Sequence, residues 1–227
     1  MTKCKTIYDL KWPSIPDDFI AIANEWSNDA SNILCSYIWK GYELLKEEVL
    51  DQIELSQSEE ELERSITQLL EPCINRVMTG YEPFYVQHGP YEYETRKDSP
   101  AQPPQYDIAF VLRINSKIMW PCEAKVLHTD GSVSEYIKDI HDQFLTCRYA
   151  PFSSGGAMIG YLISGRPQKV FENLEKKIPC NLIKVSEKNK YSQRYSDHKR
   201  QVKTDKNYPS QFRLRHIILK ICKIDKN

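Results

Sequence analysis

Apolar positions in the first eighty residues recur at helical spacing. Asp17 to Trp26 reads as a short helix. Ser31 to Ile53 reads as a longer one, with Leu34, Ile38, Tyr42, Leu45 and Val49 on one face. Ser58 then precedes a third, because a serine cap with Glu61 three positions on and acids in the first turn starts helices well. Leu62, Ile66, Leu69, Cys73 and Val77 form its apolar stripe. Pro72 lies inside it and predicts a kink or break near Leu70–Glu71.

After Gly80 the period changes. Phe84-Tyr85-Val86 and Tyr91 to Thr95 predict short strands, and the prolines between Lys97 and Pro104 predict a loop. YDIAFVLRI, the turn Asn115-Ser116 and KIMWPCEAKVL predict a hairpin that is apolar on both faces, and hence central in a sheet. Val133 to Tyr149 predicts a helix with Val133, Tyr136, Ile137, Ile140 and Phe144 facing inward. Strands are expected at 157–164, Asn181 to Val185 and Phe212 to Ile224, and a helix opened by Pro167 at 167–177. The polar, basic stretch 186–210 reads as a long loop. The segment 149–161 holds three glycines without phosphate-loop or dinucleotide spacing, so it reads as a turn feeding a strand, with Gly160 permitting close packing. Taken together the pattern predicts an α/β (α+β) fold: a central mixed sheet flanked by helices. A helical extension is expected over 1–57 and the main domain over 58–227.

Composition adds bounds. The chain has 227 residues, enough to bury a core without disulfide staples. The 41% hydrophobic content argues against wholesale disorder. No stretch is apolar enough to cross a membrane, and the amino-terminal residues hold no signal-peptide core. Seven widely spaced cysteines without a C-x-x-C pair read as small buried side chains in a reducing compartment, so a cytoplasmic location is expected. The zero net charge hides an asymmetry. Residues 1–163 carry 14 basic and 25 acidic side chains, and residues 164–227 carry 17 and 6. The basic quarter suits nucleic acid, or else two oppositely charged faces attract each other within one fold.

The chemistry concentrates at Asp107 and at Glu123-Ala124-Lys125. Glu123 and Lys125 are two apart on a strand and share a face. A hairpin brings Asp107 beside them only if its loop has odd length, centred on 115 or 116, or if a bulge intervenes; a two-residue turn would pair Asp107 with Ala124 instead. Pro121 supports an irregularity in the second strand. Two carboxylates, a main-chain carbonyl and waters suit Mg²⁺, and a lysine beside them can orient a water and offset developing charge.

Tyr106-Asp107, a hairpin, then Glu123-Ala124-Lys125 resembles the PD-(D/E)XK nuclease superfamily, the restriction-endonuclease-like fold. The helix–three strands–helix–strand order expected over about residues 58–165 matches its αβββαβ core. The proline that usually precedes the aspartate is replaced by Tyr106, with Pro103 and Pro104 upstream. The stretch from Asp139 through Phe144 to Met158-Ile159-Gly160-Tyr161 is similar to restriction-like nucleases of prokaryotic antiviral defence. The resemblance implies a metal-dependent endonuclease. Asp107, Glu123 and the Ala124 carbonyl would hold Mg²⁺, with Mn²⁺ as a substitute, and Lys125 would be the catalytic lysine. It further implies an assisting glutamate on the first core helix, here Glu63 with Glu59 and Glu60 as rivals. A polar residue on the helix after the E-x-K strand is also implied, here Gln143.

For substrate, Lys190, Arg194, Lys199, Arg200 and Lys203, interleaved with tyrosines, are the expected nucleic-acid contacts, with DNA ahead of RNA. His198 and His216 lack metal-ligand spacing and read as structural. A lone nuclease endangers its host, so control by a regulatory protein partner or by homo-oligomerisation is expected, with residues 17–53 as a candidate surface. The competing reading is a non-catalytic subunit of the same fold that binds nucleic acid or a partner protein.

Overall fold

The structure, a computed structural model, describes residues 17–50, 53–97, 103–185 and 191–221. Helix α1 (Asp17–Glu48) is followed by α2 (Glu59–Val77). Three strands come next: β1 (Phe84–His88), β2 (Ile108–Leu112) and β3 (Met119–Leu127). Helix α3 (Ser134–Asp139) runs into a π-helical turn (Ile140–Leu145), then β4 (Gly155–Leu162) and α4 (Pro167–Glu175). The chain finishes with β5 (Ile183–Lys184), β6 (Gln193–Lys199) and β7 (Gln211–Lys220). The strands form one mixed sheet in the order β1-β2-β3-β4-β7-β6-β5, parallel at β3–β4 and β4–β7 and antiparallel elsewhere. This is the expected α/β arrangement of a mixed sheet between helices.

Alternation along the strands splits the interior into two layers. Ile108, Phe110, Cys122, Ala124 and Val126 pack under α1 and α2. Ala109, Val111, Leu127, Met158 and Ile218 pack on the other face with Tyr136, Ile140, Val170 and Phe171. The helix expected as an extension belongs to this body: Leu34, Ile38 and Leu45 are fully buried in the same core as sheet residues Ile159 and Ile217. At the α1–α2 crossing a Cβ on Gly41 would meet the Ile74 backbone at 2.9 Å, so only glycine lets the helices approach this closely. Gly160 has the same use on β4, where a Cβ would collide with Leu127 and Ile218.

Several expectations are corrected. The two amino-terminal helices are one, continuous through the polar stretch at 27–31. Its serines are buried anchors there: the Ser27 and Ser153 hydroxyls lie 2.6 Å apart, and Trp120 Nε1 donates to Ser31 Oγ at 3.2 Å. Helix α2 continues past Pro72 to Val77, the proline giving up one ladder hydrogen bond inside a helix whose apolar stripe, Ile66, Leu70, Cys73 and Ile74, stays buried on both sides of it. Tyr91 to Thr95 is not a strand; it makes one bridge, Tyr91 to Gln105, and enters a 3₁₀ turn. The helix from 133 stops at Leu145 rather than Tyr149, since Arg200 Nε and the Gln201 N–H take the Phe144 and Leu145 carbonyls.

The expected loop at 186–210 contains β6. That strand hides polar side chains, Arg194, Ser196 and His198, where a hydrophobic pattern has nothing to detect. No helix among the described residues is long and apolar enough to cross a membrane. Cys35, Cys73, Cys122, Cys147 and Cys180 are free thiols, the first four buried.

Candidate active site

The hairpin has the odd loop that the site requires. Ile108 pairs with Cys122 and Val111 with Met119, a register centred on residue 115, and the Leu112 N–H donates to the Ile118 carbonyl across a five-residue loop, 113–117. The expected disturbance at Pro121 is absent from this ladder, where Pro121 pairs regularly with Ala109. Continued by one step, the register sets Asp107 opposite Glu123. Asp107, Glu123 and Lys125 thus lie on one sheet face, the face that carries α3.

β2 starts at Ile108, whereas β3 runs on to Leu127, so β3 shows an unpaired edge from Ala124 onward. Main-chain donors on such an edge need partners. Asp107 Oδ2 accepts the Ala124 N–H at 2.7 Å. In a strand the N–H and C=O of one residue point to the same side, so the Ala124 carbonyl also faces this edge. The opposite side of β3 is occupied by β4.

Lys125 Nζ is the hub. It lies 3.1 Å from Glu63 Oε1, 3.2 Å from Asp139 Oδ2 and 3.8 Å from Glu123 Oε1. The Asp139 contact is one of charge rather than an aligned hydrogen bond. Burial acts against the Lys125 ammonium, yet the carboxylates of Glu123, Glu63, Asp139 and Asp107 together raise it above its ordinary value, so it stays charged. Burial pushes the Asp107 carboxyl up, against the Ala124 N–H and the Lys125 charge. Glu123 rises well above the carboxylate range through burial and then the Asp107 charge. Glu63 is pushed up to about 7, chiefly by burial. One ammonium serves four clustered carboxylates, and Glu123 Oε2 is buried with no hydrogen-bond partner. This acid excess with an orphaned oxygen is what a divalent cation would satisfy.

Among the described residues no group of three or more His, Cys, Asp or Glu side chains converges as a ready metal cage. The donor set here is two carboxylates, Asp107 and Glu123, and the edge carbonyl of Ala124. That suits Mg²⁺, which completes its shell with water and substrate oxygens. A polar cleft of about 340 Å³ leads to the cluster, lined by Glu60, Glu63, Arg64, His88, Gln105 and Asp107 among others.

The structure therefore brings together Asp107, Glu123, Lys125, the Ala124 edge and Glu63. Of the rival glutamates, Glu59 lies 3.4 Å from His128 and Glu60 stays exposed at the cleft rim. Gln143 is not at the centre; its side chain accepts from Arg148 Nε at 3.0 Å. Asp139, four positions earlier on the same helical run, occupies the place expected for it. The expected nucleic-acid contacts divide. Lys190 lies outside the described residues. Arg194 is buried against Glu175 and over the Phe171 ring, and Arg200 is buried with its guanidinium donating to four carbonyls. These two guanidinium groups are anchors of the fold, and only Lys199 and Lys203 are exposed. His198 and His216 are buried and joined through Ser196 Oγ, a structural pair as expected.

Comparisons with protein-family models, with curated proteins and with solved structures find no match to this chain.

Proposed function

We propose that this protein is a divalent-metal-dependent nuclease of the restriction-endonuclease-like type, acting on DNA ahead of RNA. The observation that carries the reading is the meeting of Asp107, Glu123 and Lys125 at the open edge of β3, through a hairpin register that the chemistry demanded beforehand. The order α2, β1, β2, β3, α3, β4 is in keeping with the αβββαβ core implied by the resemblance.

Asp107, Glu123 and the Ala124 carbonyl would hold Mg²⁺ or Mn²⁺. Such an ion polarises a phosphodiester and acidifies a bound water. The chain supplies the rest. Lys125 stays protonated among its carboxylates and so serves as a cation facing the scissile phosphate rather than as a base. Glu63 and Asp139 position its ammonium from opposite sides. Burial of the cluster strengthens each of these charge contacts.

The test is incubation with plasmid, single-stranded DNA and RNA, in Mg²⁺, Mn²⁺ or EDTA. Cleavage is expected with metal and absent in EDTA. Glu123→Gln, which keeps the shape of the side chain, is expected to lower the rate by about 10²–10³-fold or more. Undiminished cleavage by this variant would refute the assignment. Binding without cleavage of any substrate would point to a non-catalytic nucleic-acid-binding subunit.

A further inference from the structure

A second cleft, of about 250 Å³, is basic where the first is acidic. It is lined by Thr95, Thr146, Arg148, Lys203, Lys206 and Tyr208. The loop between β6 and β7 brings the two lysines and the tyrosine. It is locked down because Arg200 donates to the carbonyls of Phe144, Tyr149, Ala150 and Ser153, and because the Gln201 N–H takes the Leu145 carbonyl. Arg148 is aimed by Gln143, which accepts from its Nε and leaves the outer guanidinium nitrogens without a side-chain partner among the described residues. Beneath the cleft Glu94 meets Lys206 at 3.4 Å and Tyr208 Oη at 3.3 Å, which fixes both side chains in place.

The cleft is tied to the candidate active site. Tyr149 follows Arg148 and donates through Oη to the Gln105 carbonyl at 2.6 Å, and Gln105 lines the acidic cleft. The Gln143 that holds Arg148 stands four residues from Asp139. The positive cleft is thereby joined to the acidic one through Arg148-Tyr149 and Gln105.

We propose that this cleft is a phosphate-binding subsite that holds the nucleic-acid backbone to one side of the bond to be cut. The proposal rests on the nuclease reading. Arg148 offers a fork suited to phosphate oxygens and Lys203 supplies a point charge, while Lys206 offsets the Glu94 carboxylate beneath them. Tyr208 adds an aromatic edge for an adjacent sugar or base. A tract that sits here brings its neighbouring phosphate toward Lys125. In this reading Gln143 positions Arg148, a substrate-side role rather than a metal-side one.

The experiment measures binding, without metal and without turnover. Fluorescent single-stranded and duplex oligonucleotides, of DNA and of RNA, are titrated in EDTA with Glu123→Gln protein as parent. The test variant adds Arg148→Gln and Lys203→Glu; the control variant adds Lys184→Glu, a charge reversal on the distant β5 edge. The test pair is expected to weaken binding about tenfold or more and to flatten the salt dependence by about one unit of slope per lost phosphate contact. The control is expected to change little. Parent-like affinity and slope in the test pair, an equal loss in the control, or no oligonucleotide binding by the parent would each overturn the proposal. Loss with DNA but not RNA, or the reverse, names the polymer the cleft holds. Failure of cleavage with this binding pattern intact would count against the nuclease reading and leave the subsite standing.

Discussion

Glu63 carries a cost that its position explains. Burial pushes its carboxyl up from an ordinary 4.5 to about 7, although the Lys125 ammonium pulls it down. Between those two values the folded chain keeps a proton that the unfolded chain has already lost. The stabilising contribution is therefore full below about 4.5 and is lost as the pH rises through about 7. Glu63→Gln removes the charge and keeps an oxygen for Lys125. In EDTA at about pH 8 it is expected to gain of order 1–3 kcal/mol over wild type in thermal or urea unfolding, and little at about pH 5. An equal gain at both pH values would assign the effect to packing. Lys125→Ala is the opposite case, since it strands several buried carboxylates; it is expected to cost of order 3–5 kcal/mol and is a poor test of chemistry alone. The centre of this site was legible in part: strand alternation alone puts Glu123 and Lys125 on one face, whereas Asp107 joins them only through an odd loop that the turn residues Asn115-Ser116 do not specify. Asp139 was not, because helical spacing alone left Gln143, one turn on, equally well placed. Arg194 and Arg200 misled for a related reason: nothing in a linear pattern says that a cation is buried on carbonyls.

β6 shows the same limit at the scale of an element. Helices α1, α2 and α4 and strands β1 to β4 and β7 announce themselves through apolar period. β6 instead turns Arg194, Ser196 and His198 inward and leaves Asp197 and Lys199 outside, so its alternation is polar on polar. Its stability comes from satisfied hydrogen bonds. Ser196 Oγ lies 2.6 Å from His198 Nε2 and 2.7 Å from His216 Nε2, and His216 Nδ1 lies 3.0 Å from the Tyr136 hydroxyl. Ser196→Ala would leave ring nitrogens buried without this partner. It is expected to cost about 1–3 kcal/mol in urea unfolding, and a loss below about 0.5 kcal/mol would argue against the network. Arg200→Lys keeps the charge but cannot repeat a fork that spans four carbonyls. It is expected to cost about 2–4 kcal/mol and to speed amide exchange at 144–153 and 200–210, because those segments meet through this side chain.

At the scale of the whole molecule, the charge asymmetry resolves into placements rather than two attracting halves. Within the basic quarter Arg194 pairs with Glu175 and Arg213 with Asp197, Arg200 is spent on carbonyls, and Lys206 reaches back to Glu94. On the acidic side the consequential excess is local: Asp107, Glu123, Glu63 and Asp139 around one lysine. A fold that keeps such a cluster gives up stability for it, and a cation that binds only the folded state returns it. Mg²⁺ at about a hundred times its dissociation constant would stabilise by about 2.7 kcal/mol, and Mn²⁺ likewise. Binding requires the carboxylates deprotonated, and Asp107 and Glu123 both titrate above their usual range. The metal-dependent rise in melting temperature is therefore expected to grow with pH, larger at about pH 8 than at about pH 6, with protons released on binding. Glu123→Gln is expected to abolish the rise while melting above wild type in EDTA, since it removes the cost of burying a carboxylate, and with it the repulsion from Asp107, without removing the side chain. A rise that is the same in Glu123→Gln, or that shrinks as the pH increases, would place the metal elsewhere on the protein and leave the cluster as a charge arrangement with Lys125 alone.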